Sequence, residues 1–209
     1  MSTTNQINEG YSPIFETTLT VKIMNDETQE KIFKEEILQI LIKQNDESLE
    51  SVRFQLYDET QLDFLFESSY FEEDFQKMKE KQDLEIDFMD FPNVIRQLLN
   101  KINIDSKSAA ISQYKISLTN IDDNEDEEET YDSNERKFFL KISQRLEFCT
   151  VELFKIVLSE CTPDRIEKVA QYRYNQLAQK LKAIQIEYND FYKRVQRQSP
   201  KALVDFKQP

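Results

Sequence analysis

The side chains that could do chemistry in this chain are almost all carboxylates. Its 209 residues include 40 Asp and Glu, 27 Lys and Arg, two cysteines, one glycine and no histidine. Paired carboxylates can divide general-acid and general-base work, or cleave a glycosidic bond. Acids at this density are ordinarily solvated surface, and none is marked out as a pair. Without histidine, neither a Ser-His-Asp nor a Cys-His nucleophile system can be assembled. Gly10, the single glycine, lies in a polar N-terminal segment. That excludes a Gly-rich phosphate loop, a dinucleotide fingerprint and a nucleophile elbow. Cys149 and Cys161 are too few for a disulfide framework and lack metal-ligand spacing, so both read as small buried or half-buried apolar residues. The expectation is a protein that is not an enzyme, with no catalytic residue, cofactor, metal or small-molecule substrate.

Charge narrows the alternatives. Residues 1–162 carry 17 basic and 35 acidic side chains, and residues 163–209 carry 10 and 5. An acidic head and a basic C-terminal part suggest two structural units. The head's sign opposes nucleic-acid binding, which needs a positive face. No apolar run approaches a membrane span, and "MSTTNQINEG" does not read as a signal peptide, so a reduced, cytoplasmic setting is expected. The run "DDNEDEEE" (122–129) has seven acids in eight residues. It reads as a solvated loop over 122–135, with a tether for a basic partner as the alternative.

The elements that must carry any binding surface follow from periodicity. Residues 1–11 read as a disordered N-terminus. Alternation marks strands at 14–24, 49–58, 62–68 (through Leu62, Phe64 and Phe66), 113–121, 137–143 and 150–158. Residues 31–43 fit either period, but turn clusters flank them on both sides and favour a strand. Phe71, Phe75 and Met78 share a helical face behind an acidic first turn. "LEIDF" (84–88) then alternates like a strand. Phe91-Pro92 opens a second helix with an apolar stripe through Val94, Ile95, Leu98, Leu99 and Ile102. Thr162 and Pro163 start a last helix. Along it Ala170, Tyr174, Leu177, Leu181, Ile184, Tyr188, Phe191 and Val195 are spaced 4, 3, 4, 3, 4, 3 and 4, the seam of a coiled coil. The alternative is one amphipathic helix folded back on its own head. The expected fold is α+β: a seven-stranded antiparallel β-sandwich or barrel with an inserted helix pair (head, 12–160), a coiled-coil helix (162–198) and a tail (199–209).

The stretch "FEEDFQKMKEKQDLEIDFMDFPNVIRQLL" resembles the signature of the spindle-assembly-abnormal-six family, the hub protein of the centriolar cartwheel. That signature is an acidic-start helix E-[ED]-D-F-x-x-[LM]-K-x-x-Q, an apolar strand ending in Asp-Phe, and Phe-Pro opening a helix that ends in Leu-Leu. Glu73, Asp74, Phe75, Met78, Lys79, Gln82, Asp87, Phe88, Phe91, Pro92, Leu98 and Leu99 match it. "VRFQLYDETQLDFLFES" and "FFLKISQRLEFCTVELFKIVL" extend the resemblance over roughly residues 14–158. It implies that the two helices and the strand between them cap one end of the sandwich. There they help line an apolar pocket, here Phe75, Phe88, Phe91 and Ile95. It also implies that the pocket accepts a side chain from the last hairpin of a neighbouring head. Phe148 takes that donor place, with Leu146 as its rival. On the residues alone, a Phe bordering a strand is ordinarily core.

The resemblance implies a structural protein of the centriole, basal body or cilium that dimerises through its coil. Head–head contacts would then build a nine-fold ring. Its partners would be itself and other centriolar or ciliary proteins, with no nucleic acid and no membrane. Three departures stand beside it. The hairpin turn lacks Gly and Pro, the acidic insertion is long, and only about nine helical turns follow the head. The last suits either the start of a cartwheel rod or the shorter spindle-assembly-abnormal-six-like paralogue, a flagellar or apical-complex scaffold without ring formation. The basic end also keeps open a scaffold of DNA end joining, which has the same head-plus-coil architecture.

Overall fold

The structure is a computed structural model, and it describes residues 9–24, 31–45, 48–108, 113–121 and 136–198. The acidic run 122–135 and the tail 199–209 lie outside the described residues. The elements are β1 (Ser12–Met24), β2 (Lys31–Gln44), β3 (Leu49–Tyr57), β4 (Leu65–Phe71), α1 (Glu72–Gln82), α2 (Phe91–Ser108), β5 (Tyr114–Asn120), β6 (Lys137–Arg145), β7 (Thr150–Glu160) and α3 (Pro163–Gln198). The seven strands run in the order β1-β2-β3-β4-β7-β6-β5. All neighbours are antiparallel except β1 and β5, which are parallel.

Long ladders join β1 through β4, and others join β5 through β7. The two groups meet thinly. β4 and β7 share the pairs Phe66–Glu160 and Glu67–Ser159, and β1 and β5 share Lys22–Ser117 and Ile23–Leu118. The head is therefore a four-stranded and a three-stranded sheet touching edge to edge, with one core between them. Leu38, Ile40, Val52, Phe54, Leu56, Leu118, Leu140, Ile142, Phe154, Ile156 and Leu158 fill that core from the strands, at the period-2 positions the alternation marks. The chain divides after Ile166 into two compact units, the head and the remainder.

Three expectations need correction. The fourth strand begins at Leu65, three residues later than the alternation indicates. The Asp58 carboxylate accepts from the Thr60 N–H (2.6 Å) and hydroxyl (2.7 Å), and the Asp58 N–H reaches Phe64 O. This side-chain-held loop extends the turn through Phe64 and leaves Leu62 exposed. "LEIDF" is not a strand. Asp83 ends α1 in the left-handed region (φ 52°), and the following segment meets no strand partner. Leu84 and Ile86 pack against the core and Phe88 is buried in it, so one-sided burial reproduces the alternation without a ladder.

Residues 9–11 are also ordered. Tyr11 is buried, its hydroxyl accepts from Ser51 Oγ at 2.7 Å, and the Arg53 guanidinium lies 4.0 Å from its ring centroid. The Glu9 carboxylate accepts from Arg53 Nη2 at 2.8 Å. Gly10 makes that approach possible at φ +86°, where a side chain is strained. The chain's one glycine thus stands where positive φ is needed.

One buried group sets a pH dependence. Glu36 faces Leu19 across β1–β2, is fully buried, and has no hydrogen-bond partner for either carboxylate oxygen. Burial, and then the Asp58 carboxylate, raise it from 4.5 to about 7, with Lys34 opposing. A raised folded-state value means that the folded head holds this proton more tightly than the unfolded chain. Stability from this group is complete below about pH 4.5 and lost as pH rises through about 7, roughly 3 kcal/mol across the window. Glu36→Gln should melt at nearly the same temperature at pH 5 and pH 8, after subtracting what the other acids contribute. The wild type should melt several degrees lower at pH 8 than that variant. Parallel pH profiles for the two proteins would refute the assignment.

Candidate self-association site

The β6–β7 hairpin is closed by the Arg145–Thr150 pair, and the Leu146 N–H donates to Cys149 O at 2.8 Å across the four-residue tip. Among the described residues only Glu9, Gly10 and Asp83 have positive φ. The tip therefore needs neither glycine nor a left-handed residue. Phe148 is 91% exposed, more than any other large apolar side chain among the described residues, while Leu146 is 46% exposed. Cys149 is exposed, which corrects its reading as a buried apolar residue. Cys161 is half-buried, and burial, then Glu67, push its thiol up to about 12, which keeps it protonated and unreactive.

The inserted helices close one end of the core. Asp74 accepts from the Phe71 N–H at α1's start (3.4 Å). Val94 N–H bonds Asp90 O, so α2 starts one residue before Pro92. The Phe91 ring packs on Phe75 (centroids 4.9 Å apart), Phe54 (5.8 Å) and Phe154 of β7 (5.7 Å), and Phe75 packs on Phe88 (5.5 Å). The structure brings Phe75, Phe88, Phe91 and Ile95 together. It buries all four in the core, so none of them presents an open apolar surface. Phe71 and Met89, at the starts of α1 and α2, are instead more than half exposed.

On the outer face of β3–β4 a charged cluster fixes the first turn of α3. Arg165 Nη2 donates to Glu67 Oε1 at 2.9 Å, Gln55 Nε2 donates to the same oxygen, and Arg53 Nη1 lies 3.8 Å from Glu67 Oε2. The Arg165 and Ile166 N–H groups bond the Thr162 carbonyl at 2.9 and 3.0 Å. The cluster escaped the sequence reading, since its members are up to 112 positions apart and no local period links Arg53 to Arg165. Farther along α3, Tyr174, Leu177, Leu181, Ile184, Tyr188 and Phe191 are each more than half exposed, while Ala170 and Val195 are half-buried. A 36-residue helix with an exposed apolar stripe at 3.5-residue spacing has the pattern of a coiled-coil strand.

Residues 13–158 match the family model described as the centriolar protein SAS N-terminal domain. The chain belongs to that family. SAS-6 heads are structural centriolar proteins, and solved ones share this fold. An N-terminal fragment of Leishmania SAS-6 with part of its coiled coil superimposes with a TM-score of 0.70 at 20% identity, covering 89% of this chain and 99% of that one. The N-terminal coiled-coil dimer of C. elegans SAS-6 gives 0.58 at 19% identity, covering 84% and 96%. The N-terminal domain of Leishmania SAS-6 alone gives 0.56 at 20%, covering 73% and 99%. No curated protein matches the chain.

Proposed function

We propose that this SAS-6 head and coil is a self-assembling structural part of the centriole or basal body. Two chains pair along the 170–195 seam, and the heads of different dimers then join through their hairpin tips into a cartwheel-type ring. The observation that carries the reading is Phe148, a nearly fully exposed aromatic at a tip held by its own backbone hydrogen bond. A ring so exposed takes almost nothing from the folded head and is free to bury its apolar area against a partner. Its receptor in this reading is the α1–α2 end, where Phe71 and Met89 are exposed and the buried Phe75, Phe88 and Phe91 pack the two helices together.

Each head donates one Phe148 and receives another, an isologous contact. Burying one aromatic contributes about 2–3 kcal/mol, against association costs of at least ~4 kcal/mol. The two aromatics of a reciprocal contact supply at most about 6 kcal/mol before that cost, so one head contact is no tighter than tens of micromolar. Ring closure supplies the remainder through effective concentration. Sedimentation equilibrium of the full chain tests this directly. The mass should rise above that of the monomer as concentration approaches about 100 µM, matched to contacts of roughly −5.5 kcal/mol, and pass that of the dimer at higher concentration. A monomer throughout that range sinks the proposal.

A further inference from the structure

Beyond Glu67, β4 and β7 part company. Their last shared pairs are Phe66–Glu160 and Glu67–Ser159, and the β7 edge from Leu158 back toward the hairpin tip has no neighbouring strand. A side chain takes the place of one. Gln82, at the end of α1, donates its Nε2 to Lys155 O at 2.6 Å and accepts the Lys155 N–H on its Oε1 at 2.9 Å. A carboxamide that both gives to and takes from one residue reproduces the exchange made by a paired strand residue. The next residue, Phe154, points inward onto Phe91. The insertion therefore grips β7 from its edge and from its core face, six and seven residues from Phe148.

We infer that Gln82 is a positioning residue for head assembly: its amide stands in for a missing strand and fixes where the β6–β7 hairpin presents Phe148. The inference rests on the proposed head contact and goes beyond it, because it assigns a residue that touches neither the tip nor the partner. It also gives a reason for the glutamine that closes the K-x-x-Q part of the signature. Without the clamp, that edge of β7 is tied to β4 only by the two pairs at its far end. A tip on a looser hairpin spends less time in the docking geometry, and the association constant falls accordingly.

The test is Gln82→Met in the full chain, which keeps the side chain's length and loses both hydrogen bonds. Backbone amide exchange should accelerate at least tenfold over residues 145–155 and stay unchanged in α2. Head–head association, measured by sedimentation against Phe148→Glu as the zero, should weaken about fivefold to tenfold. Coil dimerisation should not move. A purely structural role would speed exchange throughout the head and lower the melting temperature without singling out the hairpin. Unchanged exchange at 145–155 overturns the inference, and so does faster hairpin exchange with undiminished association. If wild type and Phe148→Glu associate alike, the head contact itself has failed, while the exchange comparison still reports whether Gln82 holds the hairpin.

Discussion

Phe148→Glu keeps the melting temperature of the wild type and loses all association beyond the coil dimer. Both halves of this expected result follow from one number. Phe148 is 91% exposed, so the folded head gives up almost no contact, and the change in stability stays within about 0.5 kcal/mol. In the proposed assembled state the same position would be enclosed by apolar surface. A carboxylate there is buried unpaired at a cost of several kcal/mol. Against a contact worth about 6 kcal/mol at best, that is complete loss at any workable concentration. A core Phe behaves in the opposite order, since truncation alone costs about 3–5 kcal/mol and the head unfolds. Leu146→Glu serves as the graded control. Leu146 is half as exposed as Phe148, so it should lower both stability and association modestly. One thermal melt and one sedimentation series decide the matter. An unchanged melt with unchanged association removes the hairpin tip from the assembly mechanism.

Most of the strands were legible because one face packs on the apolar core, and an apolar face writes a period of two into the residues. β2 resisted the period, with Ile37, Leu38, Ile40, Leu41 and Ile42 in a near-continuous run, and only its flanking turns decided it. Alternation misled where burial and pairing part company. Leu84, Ile86 and Phe88 turn toward the core, yet no strand lies beside them. Phe64 is buried as well, but it belongs to a loop that Asp58 holds shut. Long-range polar contacts were not legible at all. Arg53 against Glu9 and Tyr11, and Gln82 against Lys155, join residues 42 to 73 positions apart, and single polar residues carry no periodic signal. The hairpin tip is the instructive case. An exposed Phe and a core Phe are the same letter, and the local pattern around Phe148 favours the core. Only the likeness of the whole 72–99 signature to a family of assembling proteins reversed that expectation. The structure shows that side chain exposed at the hairpin tip.

The second large effect concerns α3. With Leu177→Asp and Ile184→Asp combined, the chain should sediment as a monomer at every concentration tested, its head melting unchanged. Both residues are about 60% exposed in the single chain, so replacing them removes little from the folded monomer beyond a small loss of helix propensity, about 0.5 kcal/mol each. In a parallel pair they are equivalent knobs of one seam, one heptad apart with Leu181 between them, and each chain would bring two carboxylates into it. Four charges enclosed within about two helical turns cost several kcal/mol for the desolvation alone, and their mutual repulsion adds to it. The wild-type coil cannot absorb that. Its seam has Tyr174, Tyr188 and Phe191 among eight positions, where Leu, Ile and Val pack best. The e and g positions flanking it carry Arg173, Lys180, Glu187 and Arg194 opposite Ala178, Gln185 and Tyr192, which supplies no complementary ion pair across a parallel homodimer. The wild-type dimer should accordingly be weak, dissociating near 100 µM, or roughly −5.5 kcal/mol, and its affinity should depend little on salt. Raising sodium chloride from 50 to 300 mM should therefore change the dimer constant by less than a factor of two. A strong salt dependence would show that charges rather than the apolar seam hold the chains together, and a doubly substituted variant that still dimerises would move the contact off residues 170–195.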